Sequence, residues 1–209
     1  MAYGEHWEWR AFGQIPHDLY QRILALPPVL PDPWLMEDHY LYAAGCAVNV
    51  KLRAGELKLK RFVARDGDLE RWLEDPAEVY PFPLTPTDVA ETAAALAVTL
   101  PARPERTLDQ AELLALLRHA NPPVQMIVVR KTRHLRTLPL PGVDPDVLLE
   151  LAEISAPQAI LSIALEHPQA EPVRRARTHL GVDQASVTPM SYLRALTFWA
   201  QSQPLPVLL

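Results

Sequence analysis

Apolar and polar residues alternate along several short stretches of the chain, the pattern of strands with one buried face. In residues 6–13, Trp7 and Trp9 share one face, opposite Glu8 and Arg10. The same pattern predicts further strands at about 34–44, 46–53, 56–65, 124–135, 147–154 and 159–166. The short connections between the early strands favour antiparallel pairing.

Apolar residues recur with a helical period elsewhere. This predicts helices over 16–26, 87–99, 107–120, 172–180 and 191–201, and a helical turn over 69–73. Strands therefore bracket a helical insert at about 66–121. The sequence predicts an α+β protein with a mostly antiparallel sheet or a closed barrel.

Length and composition limit the classes of protein that fit. The 209 residues suit a single domain, 1–209, and the net charge of −5 makes a general nucleic-acid binder an unlikely class. The sequence lacks both an 18-residue apolar run and the basic-then-apolar start of a leader peptide, so we expect no membrane association. Together with a single cysteine, Cys46, this favours a cytoplasmic protein.

Cations share one face of several otherwise apolar strands. Successive strand residues alternate sides, so each pair points into one space. The pairs are Lys51 with Arg53, Lys58 with Lys60, and Lys131 with Arg133. Two interpretations stay open: a solvated sheet face, or a set of cations converging on a polyanion. The polar run Asp38-His39-Tyr40 on the second strand could contact substrate, but we favour an ordinary polar strand face.

In their order along the chain, these segments resemble the CYTH family, also called triphosphate tunnel metalloenzymes. The family opens with Glu-x-Glu-x-Lys, continues with basic hairpin strands and a Lys-x-Arg strand, and ends with acidic strands, a helix, Gly, Val-Thr and a Tyr-containing helix. The corresponding segments here are His6-Trp7-Glu8-Trp9-Arg10, Val50-Lys51-Leu52-Arg53, Leu57-Lys58-Leu59-Lys60, Lys131-Thr132-Arg133, Leu149-Glu150-Leu151-Ala152, Ala164-Leu165-Glu166, Gly181, Val187-Thr188 and Tyr192.

The resemblance implies an eight-stranded antiparallel barrel with helices outside, whose basic interior binds a triphosphate-like anion. It also implies Mg²⁺ or Mn²⁺ held by carboxylates, and hydrolysis of a small tri- or polyphosphate. Transferred onto this chain, the catalytic residues are Glu8 and Arg10, and the metal ligands are Glu8, Glu150 and Glu166. The phosphate-binding residues are Lys51, Arg53, Lys58, Lys60, Lys131 and Arg133.

The departures from the family pattern fall on the metal ligands. His6 and Arg10 stand where the opening motif has Glu and Lys, and Ala152 and Ala164 replace two later acidic positions. Histidine is a poorer ligand than carboxylate for Mg²⁺ but suits transition metals. Two hypotheses therefore stay open: a metal-dependent phosphohydrolase, or a non-catalytic module that binds a phosphate ligand or a protein partner. An exposed apolar stripe on the insert would indicate a homodimer.

Overall fold

Ten strands form one antiparallel sheet in the computed structural model, which describes residues 4–29 and 31–207. Residues 1–3, at the start of the segment searched for a leader peptide, lie outside the described residues. The strands are β1 (Gly4–Gln14), β2 (Trp34–Tyr42), β3 (Val48–Arg53), β4 (Glu56–Asp66), β5 (Leu69–Glu74), β6 (Val79–Pro81), β7 (Gln125–Leu138), β8 (Val147–Ala156), β9 (Ile160–His167) and β10 (Ser186–Pro189).

Eight of these strands close into a barrel. Their order around it is β1-β5-β4-β3-β2-β7-β8-β9, and β9 pairs with β1 to complete the circle. The two remaining strands are outside this circle: β6 pairs with β4, and β10 pairs with the end of β1. Gly13 makes the second pairing possible, because a Cβ there would lie 2.2 Å from the carbonyl oxygen of Ser186. The predicted α+β class and eight-stranded barrel are confirmed.

Helices cover the outside of the barrel. They are α1 (His17–Leu24), α2 (Pro86–Ala95), α3 (Gln110–Arg118), α4 (Ala170–Leu180) and α5 (Tyr192–Ala200). Thr85 and Asp109 begin α2 and α3 with reciprocal capping boxes, which satisfy free backbone N–H groups. These two helices bury the outward apolar residues of β3 and β4, while α1 and α4 bury those of β1, β8 and β9.

The helix α5 closes one end of the barrel. Its apolar face packs on interior residues near the ends of four strands, including Phe12 of β1 and Tyr40 of β2. Tyr192 at its start stacks on Tyr40, with ring centroids 5.4 Å apart, and meets Phe12 edge-on at 5.5 Å. The barrel interior therefore ends in an aromatic floor rather than in solvent on this side.

One predicted element is wrong. Residues 69–73 form most of strand β5 rather than a helical turn. The strand follows β4 through a two-residue turn at Gly67, and its side chains alternate between Leu69, which packs outside, and Trp72, which is buried on the other face. Tertiary pairing with β4 and β1 on both sides overrides the weak local helical period. The helices of the insert are thus limited to α2 and α3.

Among the described residues, no helix combines the length and the apolar character needed to cross a membrane.

Candidate functional site

The polar faces of the barrel strands point inward. Side chains from all eight barrel strands, together with Tyr192, line a cavity that we call the lumen. The lumen contains five of the six predicted phosphate-binding residues and all three predicted metal ligands: Lys51, Arg53, Lys60, Lys131, Arg133, Glu8, Glu150 and Glu166. Lys58 is not among the lining residues, and its Nζ is 2.8 Å from Glu56. The hypothesis of a solvated sheet face is therefore wrong for the five lining cations.

Cations outnumber carboxylates in the half of the lumen formed by β3, β2, β7 and β8. We call this the basic half; its charged residues are Lys51, Arg53, Lys131, Arg133, Asp38 and Glu150. Asp38 is fully buried and accepts two hydrogen bonds from Arg53, at 2.5 and 2.7 Å. Glu150 accepts a hydrogen bond from Arg133 Nε, and Lys131 Nζ lies 3.6 Å from Glu150.

The opposite half, formed by β9, β1, β5 and β4, is acidic. Its charged residues are Glu8, Glu74, Glu166, Arg10 and Lys60, three carboxylates against two cations. Glu8 accepts hydrogen bonds from Arg10 Nε and Lys60 Nζ, each at 2.6 Å. Arg10 also donates to Glu150 at 2.9 Å, which joins the two halves. The two halves of the lumen therefore carry an excess of charge of opposite sign. This division depends on how the strands pair in the closed barrel.

The ion pairs set the protonation states of the buried carboxylates. Burial alone would raise the pKa of Asp38, but its hydrogen bonds with Arg53 and the charges of Lys51 and Lys131 lower it to about 2. Burial likewise opposes ionisation of Glu8, yet Arg10 and Lys60 hold its pKa below the usual range. Both carboxylates are thus charged at neutral pH.

Lys51 is the exception among the lumen cations. In the described part of the chain, no carboxylate oxygen lies within 4 Å of its Nζ, so it forms no ion pair. Burial and the neighbouring charge of Arg53 lower the pKa of Lys51 to about 7, against the weaker opposing effect of Asp38. A buried nitrogen of Arg133, Nη1, also has no hydrogen-bond partner. Two nitrogen groups in the basic half can therefore still bind an anion.

The acidic half contains a compact group of possible metal ligands. One ligand atom each from His6, Glu8 and Glu166 lies within 4.8 Å of the other two. His6 is 6% exposed, and its Nε2 has no hydrogen-bond partner. An imidazole and two carboxylates are suitable ligands for a divalent cation, and the unpartnered nitrogen fits one. Glu150 is held by three cations outside this group.

The lumen has little free space. The cavity between its side chains measures about 50 Å³. A second cavity, of about 140 Å³, lies on the other side of Glu8 and Arg10, where the turn between β4 and β5 faces the start of α5. Arg65, Arg194 and Ser191 line it. A ligand larger than a few waters must therefore displace lumen ion pairs or extend past Arg10.

Sequence reasoning missed several lumen residues. The sequence pattern favours a polar strand face for Asp38, but its side chain is buried inside the barrel. Its neighbour His39 does lie outside and contacts Glu37 at 2.6 Å. Glu74 was missed because β5 was predicted as a helical turn. The alternation of Glu70, Trp72 and Glu74 with Leu69 and Leu73 was the available signal. Both acidic residues contact cations that the sequence analysis did identify.

Comparison with known proteins bears on the fold. The sequence matches no protein-family model and no curated protein. A putative adenylyl cyclase from Hippeastrum, HpAC1, described as having a dominant triphosphatase activity, has a similar structure: TM-score 0.50 and 13% identity over 96% of this chain and 98% of that one. A putative adenylate cyclase from Bacillus halodurans matches with TM-score 0.47 and 12% identity over 90% and 95% of the two chains. This chain thus has the CYTH-type tunnel fold that its motifs resemble.

Proposed function

We propose that the protein hydrolyses a small tri- or polyphosphate, with a divalent cation in the acidic half of the lumen and the phosphate chain in the basic half. The single observation that carries this proposal is the charge division inside one closed barrel. A phosphorylated anion and its cation need adjoining sites of opposite sign, and the two halves meet at Arg10.

The basic half supplies what a condensed phosphate needs. Arg133 Nη1 and Lys51 Nζ are free of carboxylate partners, while Arg53 and Lys131 carry charge beside them. Arginine can contact two phosphate oxygens at once, and lysine acts as a point charge. Because the free space is small, the phosphate chain replaces Glu150 and Asp38 at some of these cations as it binds.

In the acidic half, Glu8 and Glu166 would hold the cation together with His6. A divalent cation bound there supplies charge neutralisation for phosphate oxygens. Arg10 contacts carboxylates of both halves, so it is placed to hold the oxygens of a phosphoryl group that lies between them. The transfer requires positioning and charge more than covalent help from the protein.

The first prediction concerns turnover. With inorganic triphosphate and Mg²⁺, Mn²⁺ or Co²⁺, the wild type is expected to release phosphate, and Glu166→Gln to lose about 100-fold or more in kcat/KM. Glu166 is chosen because Arg10, at 3.7 Å, is its one ion-pair partner in the described residues, so the fold should persist. Glu171→Gln, on the exposed side of α4, is the matched control. Phosphate release is measured by a coupled assay across pH 6 to 10.

Absence of turnover in the wild type under all these conditions would reject hydrolysis. The second candidate function, a non-catalytic phosphate-binding module, would then be favoured. One observation supports it specifically: Ala152 and Ala164 are fully buried in the barrel wall where acidic ligands would otherwise stand. Triphosphate binding in EDTA, measured by calorimetry, would persist under this alternative.

The second prediction concerns proton uptake. The charged groups around Lys51 are Arg53, Asp38, Glu74 and Lys131. Since the pKa of Lys51 is about 7, it is largely neutral at pH 8, and an arriving polyanion raises that pKa. Binding at pH 8 is therefore expected to take up close to one proton more than binding at pH 5.5.

Calorimetry of triphosphate binding, carried out without metal in two buffers of different ionisation enthalpy, measures this proton uptake. Lys51→Arg is the control, since arginine stays protonated and retains the charge. Subtracting the proton uptake of this variant from that of the wild type removes the protons that triphosphate itself releases or takes up. Equal uptake by both proteins at pH 8 would contradict a neutral Lys51.

A further inference from the structure

We infer that the cation site in the acidic half is a mixed imidazole and carboxylate site that selects a transition metal ion over Mg²⁺, with His6 as the selecting ligand. This inference rests on the proposed function and adds the identity of the ion. It depends on three residues of this chain, His6, Glu8 and Glu166, whose ligand atoms lie within 4.8 Å of one another.

The two nitrogens of His6 have different surroundings. Nδ1 lies 3.4 Å from the carbonyl oxygen of Gly4, while Nε2 is buried and without a partner. A metal-binding histidine commonly directs one ring N–H to a backbone carbonyl, which leaves the other nitrogen as the ligand. A buried nitrogen without a partner is costly, and a bound cation would satisfy it.

The charge around these atoms also favours a cation. Three carboxylates face Arg10 and Lys60, so the acidic half carries an excess of negative charge. Lys60 contacts Glu74 at 3.1 Å as well as Glu8. It can therefore release Glu8 to an ion and keep a carboxylate partner. The basic half, with four cations and two carboxylates, offers no comparable place.

Ligand chemistry then determines the ion. Imidazole nitrogen binds Co²⁺, Zn²⁺ and other late transition ions well, whereas Mg²⁺ prefers oxygen ligands and near-ideal octahedral geometry. Of the remaining lumen carboxylates, Glu74 is paired with Lys60, and Glu150 is held by Arg10, Arg133 and Lys131. An all-oxygen set of three carboxylates is thus not assembled in the described residues, and His6 completes the group.

The test uses Co²⁺ as the probe. Full-length protein is titrated with Co²⁺ and with Mg²⁺ by calorimetry, and the Co²⁺-loaded protein is examined by ¹H NMR for a strongly shifted, exchangeable imidazole N–H signal. We expect that signal in the wild type and not in His6→Gln, with a loss of 10- to 100-fold in Co²⁺ affinity. His39→Gln, which removes an imidazole outside the barrel, should behave like the wild type.

A second variant tests selectivity directly. His6→Glu restores an all-carboxylate set and is expected to lower the ratio of Co²⁺ to Mg²⁺ affinity at least tenfold. An unchanged ratio, an unchanged Co²⁺ affinity in His6→Gln, or no Co²⁺ binding by the wild type would each overturn the inference. The proposed hydrolysis is judged separately: if turnover is lost in Glu166→Gln while the ratio of Co²⁺ to Mg²⁺ affinity is unchanged in His6→Glu, the function stands and the selecting role of His6 falls.

Discussion

Replacing Asp38 with asparagine is expected to destabilise the protein by about 3–5 kcal/mol, the usual cost of leaving a buried charge without its partner. At about 2–4 °C per kcal/mol for a chain of this size, the melting temperature should fall by roughly 6–20 °C. Asparagine keeps the shape of the side chain but removes the charge that balances Arg53 and Lys131. Circular dichroism melts measure the difference.

The neighbouring residue provides the control. Glu37 lies on the same strand with its side chain outside the barrel, paired with Arg130 at 2.6 Å. Because exposed ion pairs contribute about 0–1 kcal/mol, Glu37→Gln should shift the melting temperature by only a few degrees. Comparable losses in the two variants would show that the interior pairing of Asp38 has no special weight.

The effect of Asp38 also has a defined pH dependence. Its pKa is about 2 in the folded protein and near the ordinary value of 3.8 when unfolded. A carboxylate with a lowered folded pKa contributes stability above its unfolded pKa, and this contribution is lost as the pH falls through the folded value. The difference between wild type and Asp38→Asn should therefore be constant at neutral pH and shrink between about pH 4 and pH 2.

The orientation of most lumen residues could be predicted from the sequence because a strand has a strict period of two. In β3, the apolar Val50 and Leu52 alternate with Lys51 and Arg53, so one face is assigned to the core and the other to the cations. The hairpin turn between β3 and β4 fixes their register and brings Lys51 opposite Lys58. This local information was sufficient to place Lys51, Arg53 and Lys60 on one face, whereas Lys131 and Arg133 of β7 join them only in the closed barrel.

The ion pairs could not be predicted because they depend on distant partners. Glu150 meets Arg10 across 140 residues of chain, and that contact exists only after the barrel has closed. In β2, Glu37, Asp38 and His39 are polar on both faces, so alternation does not identify the buried one. Which carboxylates are neutralised, and which remain for a metal, is therefore a property of the closed barrel.

Lys51→Met is expected to make the protein more stable and to weaken triphosphate binding by about 10- to 100-fold, the value of a charge-assisted contact. Lys51 is partly buried without a carboxylate partner, so an apolar side chain of similar length avoids the cost of desolvating its charge. Melts and calorimetry in EDTA measure the two effects. Arg130→Met, which removes a cation from the outer face of β7, should leave triphosphate binding unchanged.

The stability gain should depend on pH in a way that identifies its cause. The pKa of Lys51 is about 7 when folded and 10.5 ordinarily, so between these values the unfolded chain holds a proton that the folded protein lacks. Stability of the wild type therefore falls as the pH is lowered from about 10 to 7 and stays low below that. The advantage of Lys51→Met should be largest below pH 7 and shrink towards pH 10.

An equal advantage at pH 6 and pH 10 would mean that packing, not the buried charge, separates the two proteins. Loss of binding without any gain in stability would mean that Lys51 is solvated in the free protein. The combination expected here, higher stability with lost affinity, identifies a residue whose burial disfavours its charge and whose charge serves the ligand.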